Sequence, residues 1–254
     1  MFRNLYADTR NVLFSRGFHT GILAVIVYQL FYLVCVSLIY YFLKDTVAAE
    51  DVAFVFPSMA AFLVTASTLY LTDREFSDGC IRNKLISGVK RSDAFLSAVC
   101  TGMMQGAIYA FVAAALSTVV AVMFTGGFVT FSVNEIADYW LILTLACMAV
   151  GAFSTSLIMM LGGSKASYVV GLAIAFALKV YDTFILDKLY PEKGFCQLSG
   201  FKLLMYRFID RFIPYSYFST VPHYDMGSYV IGCAGMILIS VVAGLLVFNR
   251  KQIK

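Results

Sequence analysis

Charge is what this sequence has least of. Asp, Glu, Lys and Arg make up 13% of the 254 residues, against 61% hydrophobic residues and a mean hydropathy of +0.82. Soluble domains carry about 25% charged and about 45–50% apolar residues. A chain this poor in charge cannot hide its apolar surface from water, so a soluble globular fold is excluded and the bilayer has to be its solvent.

Chemistry-bearing side chains are scarce too. The only histidines are His19 and His223, and they fall on opposite membrane faces in the topology that the charges favour. HExxH, GxSxG and paired glutamates are all missing, which excludes the usual constellations of an intramembrane protease. GGSKAS at 162–167 lacks the Gly-Lys-Ser/Thr order of a phosphate loop and reads as a turn, so the chain is expected to be no enzyme by itself and to bind no cofactor of its own. Cys35, Cys100, Cys147 and Cys233 lie within apolar runs, Cys80 lies between two of them, and Cys196 stands alone in a later loop. Such spacing excludes a disulfide framework or a metal cluster, and small buried thiols are the expectation.

What is present is a series of long apolar runs. They cover about 21–43, 52–71, 98–124, 139–161, 167–186 and 229–248, in one transmembrane domain spanning 1–254. Each has roughly 20 residues or more, enough at 1.5 Å per residue to cross about 30 Å of hydrocarbon. The alternation of a barrel strand is missing, so the expected fold is all-α with six transmembrane helices.

Lysine and arginine orient the spans. Arg3, Arg10 and Arg16 precede the first; Arg74, Arg82, Lys84, Lys90 and Arg91 separate the second from the third; Lys165 separates the fourth from the fifth; Arg250, Lys251 and Lys254 follow the sixth. Six spans place all four groups on one face, expected to be cytoplasmic, with both termini. The opposite loops hold Lys44, Asp45, Glu50 and Asp51 in one and Glu135 and Asp138 in another. The long loop at 187–228 also carries Lys188, Lys193, Lys202, Arg207 and Arg211, which dilute this bias without reversing it. The first span is too long for a signal h-region and is expected to act as an uncleaved anchor.

Inside the membrane, the second, third, fourth and sixth spans hold no ionisable acid or base, and Gln29 and Gln105 are the most polar side chains of their runs. Lys179 and Asp182, three apart in the fifth, can pair on one helical face as an interface pair; a proton relay has no other candidates. Gly102 and Gly106 form a GxxxG in the third span, and Gly151, Ala152, Ser154 and Ser156 cluster in the fourth. These small residues serve close helix approach, either between two copies or within one.

The densest charge lies in EFSDGCIRNKLISGVKRSDAFLS, residues 75–97. Thr72 and Glu75 stand at capping-box spacing, so a helix is expected to start there. Phe76, Cys80, Ile81 and Leu85 recur at helical intervals, Gly79 weakens the helix, Gly88 is its expected stop, and Ser92 and Asp93 are the expected caps of the next span. A short helix-turn-helix with both charge signs and an apolar face suits docking of a soluble partner better than a plain loop does.

The pattern E-F-x-D-G-x-I-R-N-K-L-I-x-G-x-x-R before an apolar helix resembles the cytoplasmic loop of ABC type-2 exporter permeases. The resemblance implies that Glu75, Gly79, Arg82, Lys84, Leu85, Gly88 and Arg91 belong to a coupling helix that docks on a separate cytoplasmic ABC ATPase subunit. ATP and Mg would then be bound by that partner, and a second permease would complete the pathway as a homodimer or heterodimer. It also implies an interfacial helix in NLYADTRNVLFSRGFHTG before the first span, an outward-facing gating region before the last, and a bacterial cell membrane as the location. In that outer region FKLLMYRFIDRF (201–212) puts Phe201, Leu204, Met205, Phe208 and Phe212 on one side of an amphipathic helix and Lys202, Arg207, Asp210 and Arg211 on the other, with Pro214 ending it. Membrane lipid is an expected partner and nucleic acid is not.

Three functions stay open. An exporter permease carrying an amphipathic or antimicrobial peptide, lipid or drug is the first. A non-transporting scaffold, sensor or immunity protein is the second, and an ion-coupled carrier using Lys179 and Asp182 is the third. Sensitivity to protonophores separates the first from the third, and sensitivity to ATP depletion separates the first from the second.

Overall fold

A computed structural model of the chain describes residues 2–43, 47–125, 128, 131–163, 165–191, 198–218 and 224–250, and every regular element among them is helical. In order these are α1 (Phe2–Leu13), α2 (Arg16–Leu43), α3 (Ala49–Ala53), α4 (Phe56–Ser77), α5 (Cys80–Ile86), α6 (Arg91–Phe124), α7 (Val133–Leu161), α8 (Lys165–Leu189), α9 (Gly200–Phe212), a 3-10 turn at Ser216–Phe218, and α10 (Met226–Arg250). Lys44, Asp45, Lys193, Cys196, His223, Lys251 and Lys254 lie outside the described residues.

Five of these helices, α2, α6, α7, α8 and α10, are long and apolar enough to cross a membrane, which makes the chain a multi-pass membrane protein. The run expected at 52–71 is the exception. It divides into α3 and α4, and α4 has 22 residues but falls outside that set. Ser58, Thr65, Ser67, Thr68 and Thr72 dilute its apolar stretch before it ends in Asp73, Arg74 and Glu75. Packed against α2, α6, α7 and α8, α4 bonds several of these hydroxyls inside the protein. Thr68 donates to the Val64 carbonyl at 2.7 Å, and Ser67 Oγ lies 2.6 Å from the Tyr109 hydroxyl of α6.

Helix boundaries correct two local expectations. α4 runs unbroken through Thr72 and Glu75, so their spacing marks no helix start. α6 begins at Arg91 after Lys90, which puts Ser92 and Asp93 inside the first turn rather than at the cap. A capping box does occur at Ser132 and Glu135, where Ser132 N–H donates to the Glu135 carboxylate at 2.8 Å and starts α7.

α7 is the interior helix. In its most apolar stretch 67% of residues are buried, against 22% for α2, α8 and α10, whose Leu, Val, Ile and Phe face outward. α6 meets α7 through glycine. A Cβ on Gly106 would fall on the backbone carbonyl of Cys147, and one on Gly151 on that of Gly102. The small residues of the third and fourth runs therefore pack within one chain. Gln29 joins α2 to α6, donating to Ser117 Oγ at 2.9 Å and the Ala113 carbonyl at 3.2 Å.

The bundle has two ends. At one, Gly163 after α7 lies against Phe76 of α4, and Phe248 of α10 meets Phe95 of α6 at 5.8 Å between ring centres. At the other, Gly232 of α10 lies against the Phe212 carbonyl of α9. Replacement Gly106→Ala forces α6 and α7 apart and should cost about 1–3 kcal/mol. A Cβ on Gly235 meets nothing within 4 Å, so Gly235→Ala should melt with the parent; thermal unfolding in detergent measures the contrast.

Candidate functional site

The α4–α5–α6 corner is shaped by two glycines. Gly79 (φ +69°) and Gly88 (φ +88°) adopt the left-handed backbone that other residues resist, and a Cβ on either would meet open space. Backbone strain, then, and not crowding selects glycine at both. Gly79 is the residue before α5 rather than a weak point within it, and Gly88 follows its last turn as expected.

The seven-residue α5 turns its apolar side inward. Ile81 is 2% exposed in a cluster with Phe95, Val99, Met159 and Phe248, and Phe76 packs on it. Arg82, Asn83 and Ile86 face out, with Ile86 74% exposed. The apolar face expected to be available to a partner is turned inward: the Phe76–Ile81 side holds the corner to the bundle, while Arg82, Asn83 and Ile86 are exposed.

Lys84 also points inward. Its ammonium lies 2.6 Å from Asp8 Oδ1 and 3.4 Å from Glu75 Oε2, and Ser97 Oγ donates to Asp8 Oδ2 at 2.7 Å. Four elements meet here: α1 brings Asp8, α4 Glu75, α5 Lys84 and α6 Ser97. The Asp8 side chain is 2% exposed, Glu75 16% and Lys84 19%. Two carboxylates thus share one ammonium away from bulk water. Burial pushes the Glu75 carboxyl up, aided by Asp8, while Lys84 opposes the rise. Burial also disfavours the Lys84 ammonium, yet attraction to Glu75 and Asp8 outweighs it and raises the pKa. Asp8 is the member of this cluster that the sequence pattern does not single out. Its signal is slight: an acid among Arg3, Arg10 and Arg16, one turn from the buried Val12 on the same side of α1.

Beside this knot, a polar cleft of about 550 Å³ opens between α1 and the α4–α5 turn, lined by Asn11, Ser15, Arg74, Glu75, Asp78 and Cys80 among others. Arg74 pairs with Asp78 at 3.3 Å across its exposed rim. Arg91, at the start of α6, donates to the Asn249 carbonyl at 3.3 Å and ties that corner to the end of α10. Leu85 is half-buried.

The other residues singled out lie toward the opposite end. Lys179 is half-buried and Asp182 buried on α8, close enough for their charges to interact. On α9, Phe201, Leu204 and Phe208 are exposed, while Met205 and Phe212 are half-buried. Asp210 departs from the expected polar face: it is 2% exposed and accepts from the hydroxyls of Tyr224 at 2.7 Å and Tyr190 at 3.3 Å. Among protein-family models none matches the chain, and no curated protein is similar to it.

Removing the shared cation leaves two buried carboxylates facing each other. Lys84→Met should therefore cost about 3–5 kcal/mol at this corner, read as lost amide-exchange protection in α1. In the parent, Glu75's raised pKa means that its contribution is fullest below the ordinary carboxyl value of 4.5 and is lost as the pH rises through the raised pKa. Lys84's contribution is fully present below the ordinary lysine value of 10.5 and is lost as the pH rises through its own raised pKa. Glu75→Gln should abolish the first decline in α1 protection factors and weaken the second, because Glu75 is the largest attraction raising the Lys84 pKa.

Proposed function

We propose that the chain is the membrane permease subunit of an ATP-driven exporter, with α5 as the helix on which a separate cytoplasmic ATPase docks. One observation carries the reading: α5 is a short helix set off by two left-handed glycines, with Arg82, Asn83 and Ile86 outward and Lys84 tied inward to α1 and α4. A helix built this way cannot move alone. Force applied at Arg82 and Ile86 passes through Lys84 to Asp8 and Glu75, and through Ile81 to α6, α7 and α10.

In this reading α4 is a sixth crossing, carried by its neighbours, and both termini lie on the cytoplasmic face with α5. The basic residues at 74–91 and around α1 support that orientation. A second six-span chain would complete the pathway, and the apolar helices suit an amphipathic peptide, lipid or drug as cargo. ATP and Mg belong to the ATPase, which supplies the energy.

Affinity purification of the tagged chain from its native host in mild detergent tests this. An ATPase bearing a phosphate loop should accompany it at about one per chain. Arg82→Glu combined with Ile86→Glu should cut its recovery at least about tenfold, as loss of central anchors does, without lowering the melting temperature. Recovery of the parent chain alone under several gentle conditions would replace this reading with the scaffold or immunity one.

A further inference from the structure

Two grooves meet on α9. The larger, about 630 Å³, runs between α7, α9 and α10 and is walled by carbon, with Phe153, Met160, Ile213 and Ile239 among its lining residues. It follows α10 from Ile231 to Ala243, which is about 18 Å of helix at 1.5 Å per residue and close to the ~15 Å of one leaflet's hydrocarbon. Gly235 lies along it, and the space where its Cβ would stand is empty of protein atoms for 4 Å. The smaller groove, about 410 Å³, shares Phe208 and Phe212 with the first and is flanked by Arg207 and Arg211.

The arginines define what the smaller groove takes. They stand at i and i+4, where like charges repel each other across one helical turn. Asp210 does not neutralise them by bonding, because its carboxylate accepts from Tyr190 and Tyr224. Arg211 is held in place: Nε donates to Ser228 Oγ at 2.9 Å, and the guanidinium lies 5.4 Å from the Phe212 ring centre and 5.6 Å from that of Tyr224. Arg207 is exposed. A planar guanidinium oriented by one hydrogen bond and two rings suits a phosphate oxygen pair.

We propose that this junction holds one anionic phospholipid of the bilayer, its phosphate between Arg207 and Arg211 and one acyl chain along the α7–α10 groove. A free phosphate has no use for the apolar groove. A zwitterionic lipid brings its own cation to the arginines, and a neutral amphiphile leaves them uncompensated. The site lies at the end of the bundle opposite α5 and does not rest on the permease reading.

The full chain, stripped of lipid in a maltoside detergent, is titrated with phosphatidylglycerol or phosphatidylcholine, and bound lipid is counted by native mass spectrometry. The first phosphatidylglycerol should bind at least about fivefold more tightly than the first phosphatidylcholine, the effect of one basic side chain near a lipid surface. Arg207→Gln should lower the first affinity about fivefold and spare the second. Gly235→Leu, which fills the groove, should weaken both, and Ile239→Trp fills the same space should the leucine variant fail to fold. Equal binding of the two lipids by the parent overturns the proposal. So does full displacement of the lipid by inorganic phosphate, or undiminished binding in the folded groove-filled variant. Conversion of a dimer to a monomer by Gly235→Leu with lipid binding unchanged assigns the groove to a second copy, and the proposal then fails.

Discussion

Helices in hydrocarbon gain little from pressing leucine on leucine, because lipid offers the same surroundings. They adhere where backbones approach closely enough for dispersion to add up, and that needs side chains small enough to stay out of the way. α6 and α7 meet this condition at Gly106 and Gly151, where the facing helix's carbonyl occupies the space that a Cβ would take, and at Gly102, where the Thr155 hydroxyl does. The rest of the bundle is arranged around that pair. α4 and α10 pack on α7, α1 and α2 pack on α6, and α8 leans on α4 and α7. Several polar groups brought inside bond across these contacts, as with the Gln29 amide N–H to Ser117 and Ser67 to Tyr109.

The corner at α5 works by a different balance. Its two carboxylates and one ammonium lose hydration together, and no arrangement of three such charges neutralises both acids. Apolar side chains of the same volume would hold α1 to α5 with less electrostatic cost. What the ionic knot adds is direction: Lys84 reaches two carboxylates from different helices, so α5 can take only orientations that serve both. Ser97 fixes the Asp8 carboxylate from the α6 side as well. A helix constrained in this way transmits displacement rather than absorbing it, which underlies the coupling role proposed for it.

The fold was legible in the sequence where the signal was local. Run length and hydropathy located the long apolar helices, and Gly88 was legible as the stop of α5, whereas Gly79 was read as a weak point inside the helix and in fact stands before it in a left-handed backbone. α4 was harder. Its Ser and Thr residues lower its apolar character, and only the tertiary structure reveals that Tyr109 and the helix's own carbonyls receive them. At the candidate site, Glu75 and Lys84 stood out by charge, but charge does not tell which way a side chain faces; both turn inward, and the outward cation is Arg82. Asp8 could not be found by spacing at all, since its partners lie on elements remote in the chain. Asp210 was misplaced for a related reason: a helical wheel grouped it with the basic residues, whereas two tyrosines from outside α9 draw it in.

The separation between Asp8 and its partners also bears on how the molecule is made. α1 precedes all its partners in the chain, and Ser97, which donates to its carboxylate, lies 89 residues later. Until α4, α5 and the start of α6 have been synthesised, Asp8 has no cation to receive it and belongs in water. α1 is therefore fastened well after it is made. Its closure onto Lys84 requires that α4, α5 and the start of α6 have found their places at the end of the bundle where α5 stands.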